Sequence, residues 1–176
     1  MGKRSNFTRK KLDFYSTPLE AVKPLIRHLP RNPFTFCEPC AGEGHLIEHM
    51  KRFDIQCVSA FDVEPWTKDM RIHDASWIVE EDLNGADMII TNPPWDREPL
   101  HQIIDRCARL RPTWLLFDAD WMHTKQAAQY LDICHKIVSI GRVKWFGNVA
   151  GKDNCCWYLF DAKAGKSFVT KFVGRS

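Results

Sequence analysis

Short apolar runs recur along the first two thirds of the chain, and each ends on a residue that stops a strand or carries chemistry. Phe34-Thr35-Phe36-Cys37 leads into Glu38, and Cys57-Val58-Ser59-Ala60-Phe61 into Asp62. Asp87-Met88-Ile89-Ile90-Thr91 leads into Asn92-Pro93-Pro94-Trp95, and Thr113-Trp114-Leu115-Leu116-Phe117 into Asp118. Runs this short suit strands buried on both faces rather than helices. Ser76 to Val79 reads as a weaker strand of the same kind, which makes Asp82 the acid that follows it. Between the runs, Leu46 to Phe53 and Trp121 to Cys134 read as helices. So does Leu100 to Leu110, where Leu100, Ile103, Ile104, Cys107 and Leu110 fall at helical spacing. The tail changes character: Ile137 to Phe146 and Cys155 to Phe160 read as two strands joined by a loop rich in Gly, Asn and Lys. Strand–helix alternation followed by a hairpin implies an α/β chain with a mostly parallel, twisted sheet and an antiparallel C-terminal pair. In such sheets ligands bind beyond the carboxyl ends of the strands, so the residues that end the runs are the candidates for function.

A chain of 176 residues, 44% of them hydrophobic, suffices for one domain and not for two. The reading is a single domain over residues 14–176 behind a basic arm over residues 1–13. In that arm Lys3, Arg4, Arg9, Lys10 and Lys11 all precede the first acid, Asp13, although net charge is only +3. A cationic arm fits a polyanion such as nucleic acid; the plainer alternative is a solvated terminus. No apolar run approaches the ~20 residues that span a bilayer, and no export signal is present, so no membrane partner is expected. With that context the seven cysteines read as reduced thiols of a cytoplasmic protein. Cys37-x-x-Cys40 lacks the second spaced pair a zinc site needs, so no metal is expected.

The turn after the first run is Glu38-Pro39-Cys40-Ala41-Gly42-Glu43-Gly44-His45. Glycines at 42 and 44 let the backbone turn sharply and a ligand lie against it. An acid at the strand end repels a pyrophosphate and attracts an ammonium group. Asp62 can accept ribose hydroxyls, and Asp82 the exocyclic amine of an adenine. An ordinary strand-to-helix turn with loop acids would look the same at each position taken alone.

Asn92-Pro93-Pro94-Trp95 is more constraining. Two prolines fix the backbone and hold Asn92 extended. Asn92 then offers a side-chain carbonyl in a fixed direction, Pro93 a main-chain carbonyl, and Trp95 a flat face. Two acceptors beside an aromatic platform suit a planar amine.

These residues resemble those of the class I S-adenosylmethionine-dependent methyltransferases, and among them the amino methyltransferases with an Asn/Asp-Pro-Pro-aromatic site. The likeness runs from Asp13 to about Phe160. By resemblance Phe14-Tyr15-Ser16-Thr17-Pro18 is the motif covering the methionine end of the cofactor, which implies roles for Tyr15, Thr17 and Pro18. Glu38, Ala41, Gly42 and Gly44 match the cofactor loop. Asp62 matches the ribose acid with Val63 beside the adenine, and Asp82-Leu83 the adenine-amine contact. Asn92, Pro93, Pro94 and Trp95 match the catalytic motif, where Asn92 also borders the cofactor and Trp95 the substrate. Phe146 is the implied second stacking face. The motif order is that of gamma-type adenine-N6 methyltransferases, and the compact form with a Trp-rich terminal hairpin is similar to the phage type. The resemblance implies a Rossmann-like, seven-stranded sheet with a reversed last strand, S-adenosylmethionine as cofactor, and adenine in nucleic acid as acceptor.

The chemistry follows from the acceptors. An aromatic amine is a poor nucleophile because its lone pair is shared with the ring. If Asn92 Oδ1 and the Pro93 carbonyl both accept its N–H groups, the nitrogen can pyramidalise toward the methyl donor. A base within a duplex must first be extruded, and Trp95 would hold it. DNA is favoured and RNA is the alternative, with Arg142 and Lys144 adding positive charge to the basic arm. A guanine amine, a protein glutamine amide, or a non-catalytic binding module remain as other readings. Family members of this type carry a large target-recognition region; its absence here leaves recognition to loops and arm or to a protein partner.

Overall fold

The computed structural model describes residues 16–65, 67–68, 70–145, 153–166 and 169–175. In chain order its elements are α1 (Leu19–Ile26), β1 (Thr35–Glu38), α2 (His45–Lys51), β2 (Gln56–Asp62), β3 (Arg71–Ile72), β4 (Met88–Thr91), α3 (Arg97–Leu110), β5 (Thr113–Asp118), α4 (Ala128–Leu131), β6 (Cys134–Arg142), β7 (Asn154–Phe160) and β8 (Lys171–Val173). They build one eight-stranded sheet in the order β3-β2-β1-β4-β5-β7-β6-β8. Strands β3, β2, β1, β4 and β5 are mutually parallel. Strand β7 runs antiparallel to β5 and β6, so the expected terminal hairpin is present. The chain leaves β1 for β2 on one side and returns through β4 on the other, which opens a crevice at the carboxyl ends of β1 and β4.

Alternation along each strand sends successive side chains to opposite faces, and both faces are buried. Phe36, Met88, Ile90, Trp114, Leu116, Cys155 and Trp157 pack with Ala21, Val22 and Leu25 of α1 and with Leu46 and Met50 of α2. Cys37, Ile89, Leu115, Phe117, Cys156, Tyr158 and Phe160 pack on the other face with Leu100, Ile103, Ile104 and Cys107 of α3. The second face is anchored by aromatic contacts. Phe117 stacks on Tyr158 at 4.1 Å, and Trp121 meets both edge-on at 5.0 and 5.4 Å.

Several boundaries differ from the sequence reading. The third strand is Arg71–Ile72, not Ser76 to Val79. Ala75–Trp77 is instead a 3-10 turn whose first N–H groups are capped by Asp74, Oδ1 of which accepts from Ser76 N–H at 2.8 Å. The segment after β5 is not one helix; two 3-10 turns, Ala119–His123 and Lys125–Ala127, precede the single turn of α4. Strand β6 begins at Cys134 and ends at Arg142. The sheet has eight strands rather than seven, because β8 adds parallel to β6. Helix α1 has no counterpart in the reading, since Pro24 interrupts its pattern.

Helix α1 is tied to the far end of the chain. Trp157 Nε1 donates to the Ala21 carbonyl at 2.8 Å in full burial, and the Lys144 N–H donates to Glu20 Oε1 at 2.6 Å. Phenylalanine at position 157 keeps most of the packing but strands that carbonyl. Trp157→Phe should lower unfolding stability by about 1–3 kcal/mol, read from the urea midpoint; an unchanged midpoint would show that the bond contributes nothing.

Candidate active site

The carboxyl edge of the sheet gathers most of the residues singled out above. Glu38 ends β1 and Asp62 ends β2, while Asn92 to Trp95 follow β4 directly. The turn after β1 folds onto the end of β2. Ala41 N–H donates to the Phe61 carbonyl at 3.0 Å, and Gly42 N–H to Asp62 Oδ2 at 2.8 Å. Gly42 and Gly44 have φ of 51° and 79°, left-handed values that a side chain would strain. Asp62 Oδ1 holds the Glu64 N–H at 2.9 Å. Each Asp62 oxygen thus accepts one backbone N–H and keeps a lone pair for a further donor. Val63, beside it, is 42% exposed on the same rim.

The segment that precedes α1 joins this rim. Ser16 Oγ donates to Glu43 Oε2 at 2.7 Å, which pins it to the glycine turn, and His45 Nδ1 lies 3.2 Å from the same oxygen. Thr17 is buried there and Pro18 starts the helix. Tyr15 and the basic arm lie outside the described residues, as does Phe146.

Glu38 is the electrostatic anomaly. It is 2% exposed, and its Oε2 has no hydrogen-bond partner among the described residues. Burial, then the neighbouring charge of Asp62, push its carboxyl well above the usual range. A buried, orphaned carboxyl costs stability unless a ligand serves it. It sits beside a glycine turn that leaves room for one.

Asp82 and Leu83 stand elsewhere. Leu83 is fully buried in the α3-side core. Asp82 Oδ1 pairs with Arg71 at 2.7 Å, and Oδ2 with His73 Nε2 at 3.0 Å and Val79 N–H at 2.8 Å. Its carbonyl accepts from Ser59 Oγ, which lies in the middle of β2. The carboxylate therefore clamps β3 to the turn that follows it, with two bonds on Oδ2 and one on Oδ1. With β3 at residues 71–72, the acid that follows it on the rim is Asp74, exposed at the cap of the 3-10 turn. The sequence reading missed it because it placed the strand too late; the pair Asp74-Ala75 directly after Ile72 was the available signal.

At the catalytic turn, Pro93 is buried and Asn92, Pro94 and Trp95 are half-buried. Trp95 Nε1 donates to Asn92 Oδ1 at 3.2 Å. Trp145 meets the Trp95 ring edge-on, centroids 5.7 Å apart at 83°. Trp145 is thus a described aromatic neighbour of the turn, at a position the sequence reading passed over in favour of Phe146. Beyond β5, Asp118 Oδ1 caps the Asp120 N–H and Trp121 is buried, so these residues serve the fold.

Burial disfavours the thiolate form of the cysteines. Burial pushes Cys37 and Cys57 up to about 12 and Cys40 well above the ordinary thiol value. None of the seven cysteines forms a disulfide. Among the described residues no group of three or more His, Cys, Asp or Glu side chains is arranged to hold a metal, and no helix is long and apolar enough to cross a membrane.

No family model matches the chain. A curated protein, the Type II methyltransferase M.VspI of Vibrio sp. (strain 343), is 27% identical in an alignment 113 residues long that covers 53% of this chain and 28% of that protein. The chain thus spans about a quarter of that relative's length. Among solved structures, a dimethyladenosine transferase from Plasmodium falciparum superposes with a TM-score of 0.56 at 14% identity, covering 86% of this chain and 64% of the other. The M protein of the Type I restriction enzyme EcoKI superposes with a TM-score of 0.55 at 15% identity, covering 85% and 44%. The fold is the Rossmann-like fold of class I methyltransferases, with one strand added at an edge.

The Asp82 clamp yields a stability test. Burial raises its pKa, but the Val79 N–H, Arg71 and His73 outweigh burial and hold it below the ordinary aspartate value. A depressed acid stabilises the fold above its unfolded pKa and loses that contribution as pH falls through the folded one. Asp82→Asn should cost about 1–3 kcal/mol at neutral pH. The gap to wild type, followed by urea denaturation, should close as pH drops below ~4; a gap constant with pH would contradict the clamp.

Proposed function

We propose that the chain is an S-adenosylmethionine-dependent methyltransferase that methylates the N6 amine of adenine in nucleic acid, with DNA as the favoured polymer. The observation that carries the cofactor is the buried, unpartnered Glu38 carboxyl beside the Gly42–Gly44 turn. The observation that carries the acceptor is the Asn92-Pro93-Pro94-Trp95 turn on the same rim, directly after β4. The names of the EcoKI restriction-enzyme M protein and of the dimethyladenosine transferase support a nucleic-acid acceptor and adenine, and that of M.VspI supports methyl transfer.

S-adenosylmethionine supplies an electrophilic methyl group on a sulfonium. Glu38 receives the ammonium end of the cofactor through its unpartnered Oε2, and Asp62 the ribose hydroxyls through the lone pairs left beyond its backbone contacts. Ser16, Thr17 and Pro18, with Tyr15 before them, cover the methionine end, and Ala41, Gly42 and Gly44 give the backbone approach. Val63 flanks the adenine ring, and Asp74 takes the amine contact that the sequence reading gave to Asp82 and Leu83. Asn92 Oδ1 and the Pro93 carbonyl accept the two N–H groups of the target amine, draw its lone pair out of the ring and aim it for in-line attack. Pro94 fixes the turn and Trp95 stacks on the extruded base, with Phe146 as the second face. The proton leaves to water after transfer, when the amine is strongly acidic. Residues 14–176 act as one domain, and the basic arm 1–13 adds phosphate contacts. A protein partner supplying target recognition belongs to the same proposal.

The direct experiment offers labelled S-adenosylmethionine with duplex DNA, single-stranded DNA, RNA and protein, followed by nucleoside analysis. N6-methyladenine should appear, and Asn92→Ala should cut turnover by about 100-fold or more while cofactor affinity stays within a few-fold. Label found only in protein, or only on guanine, would overturn the assignment. Cofactor binding has its own signature. An ammonium partner restores the charged form of Glu38, so binding releases a proton at pH values below the raised pKa. Calorimetry should show affinity rising with pH above the ordinary carboxylate range of ~4–5, and Glu38→Gln should flatten that rise. In the same titrations Asp74→Ala should weaken the cofactor about tenfold and its 6-oxo analogue hardly at all. A pH-independent affinity, or equal losses for both ligands, would remove Glu38 or Asp74 from the site.

A further inference from the structure

The contact between Trp95 and Asn92 has a chemical consequence beyond stacking. An asparagine amide carries an acceptor on one side and a donor on the other, and little but its hydrogen bonds tells them apart. Only one orientation can accept an amine; the flipped amide presents Nδ2 and repels it. An indole N–H donates and never accepts. Trp95 Nε1 lies 3.2 Å from Asn92 Oδ1, so the orientation that places oxygen beside the indole is the one it stabilises. We propose that Trp95 is a positioning residue, whose indole N–H locks the Asn92 amide with its oxygen facing the substrate amine.

The lock is compatible with turnover because a carbonyl oxygen has two lone pairs. One holds the indole N–H, which lies in the plane of the ring. The other accepts from an amine in the plane of a base stacked on that ring. A phenyl ring at position 95 offers a comparable flat face with no donor, so the indole's hold on the amide oxygen is lost. Trp145, edge-on at 83°, packs against the indole, and Trp95 also touches the cores on both sides of the sheet. The N–H is thereby aimed by packing rather than by chance.

This inference rests on the function proposed above, and its test separates the two. In the full chain, Trp95 is replaced by β-(3-benzothienyl)alanine, which keeps the bicyclic shape and puts sulfur where the N–H stands. Turnover on the best nucleic-acid acceptor should fall about fivefold, the factor one such hydrogen bond carries, while KM for the acceptor stays close to that of wild type because the stacking face is kept. Trp95→Ala should instead raise KM. 5-Fluorotryptophan, which retains the N–H, should restore turnover. In Asn92→Asp the two side-chain oxygens are equivalent, so removing the N–H there should cost little more. Wild-type kcat for the benzothienyl protein, or a loss shared equally by the fluorinated one, would overturn the lock and leave the methyltransferase reading intact. Absence of transfer from wild-type protein to any nucleic acid would overturn that reading instead. The lock is then read in the ligand-free protein, where the Trp95 indole proton should exchange with solvent at least fivefold faster in Asn92→Ala; equal exchange would overturn it.

Discussion

Parallel strands buried on both faces leave their side chains no role but packing, and that constraint arranges everything else in this molecule. Phe36, Ile89, Ile90, Leu115 and Leu116 are fully buried, so none of them can meet a ligand. Polar function is displaced to the residues that end each strand. Because β1, β2, β3, β4 and β5 all point the same way, those ends share one edge. Glu38, Asp62, Asp74, Asn92 and Asp118 are neighbours on the rim because of sheet direction, although they are scattered along the sequence.

The rim then divides by the partners each acid finds. Asp62 and Asp118 spend part of their capacity on backbone N–H groups, which holds their loops in place. Asp82 is held by Arg71, His73 and Val79 and ties β3 to the turn that follows it. Glu38 alone is both buried and short of a partner, and burial with the Asp62 charge disfavours its ionised form. A protein gains nothing in stability from such a group. It gains a site whose charge appears when a cation arrives, which is the property a pocket for an amino-acid ammonium needs.

How much of this was legible follows from the same physics. Strands β1, β2, β4 and β5 could be read because burial on both faces demands unbroken apolar runs and the residues after them punctuate sharply. The catalytic turn could be read because Pro93 and Pro94 leave the chain little freedom. Strand β3 could not: it has two residues, both exposed, and sits where an edge strand needs no apolar pattern. Ser76 to Val79 imitated it because a capped 3-10 turn also alternates buried and exposed positions. That difference makes Asp74, not Asp82, the first acid after the third strand. Helix α1 was hidden by Pro24 and β8 by its brevity. Trp145 was not singled out because no periodicity marks a ring past the end of a strand.

Helix α1, hidden in the sequence, and the hairpin, read from it, together bring the distant ends of the chain to the site. Trp157 of β7 grips Ala21, and Lys144 beyond β6 grips Glu20, so the segment covering the glycine turn and the loop bearing Trp145 are held to one helix. Trp145 in turn packs edge-on against Trp95. The aromatic wall of the acceptor pocket and the cover of the cofactor turn are therefore not independent. A shift of α1 moves Ser16 off Glu43 and loosens Trp145 together. On the function proposed above, cofactor seating and orientation of the Asn92 amide would be linked through this one short helix, with no contact needed between the two ligands.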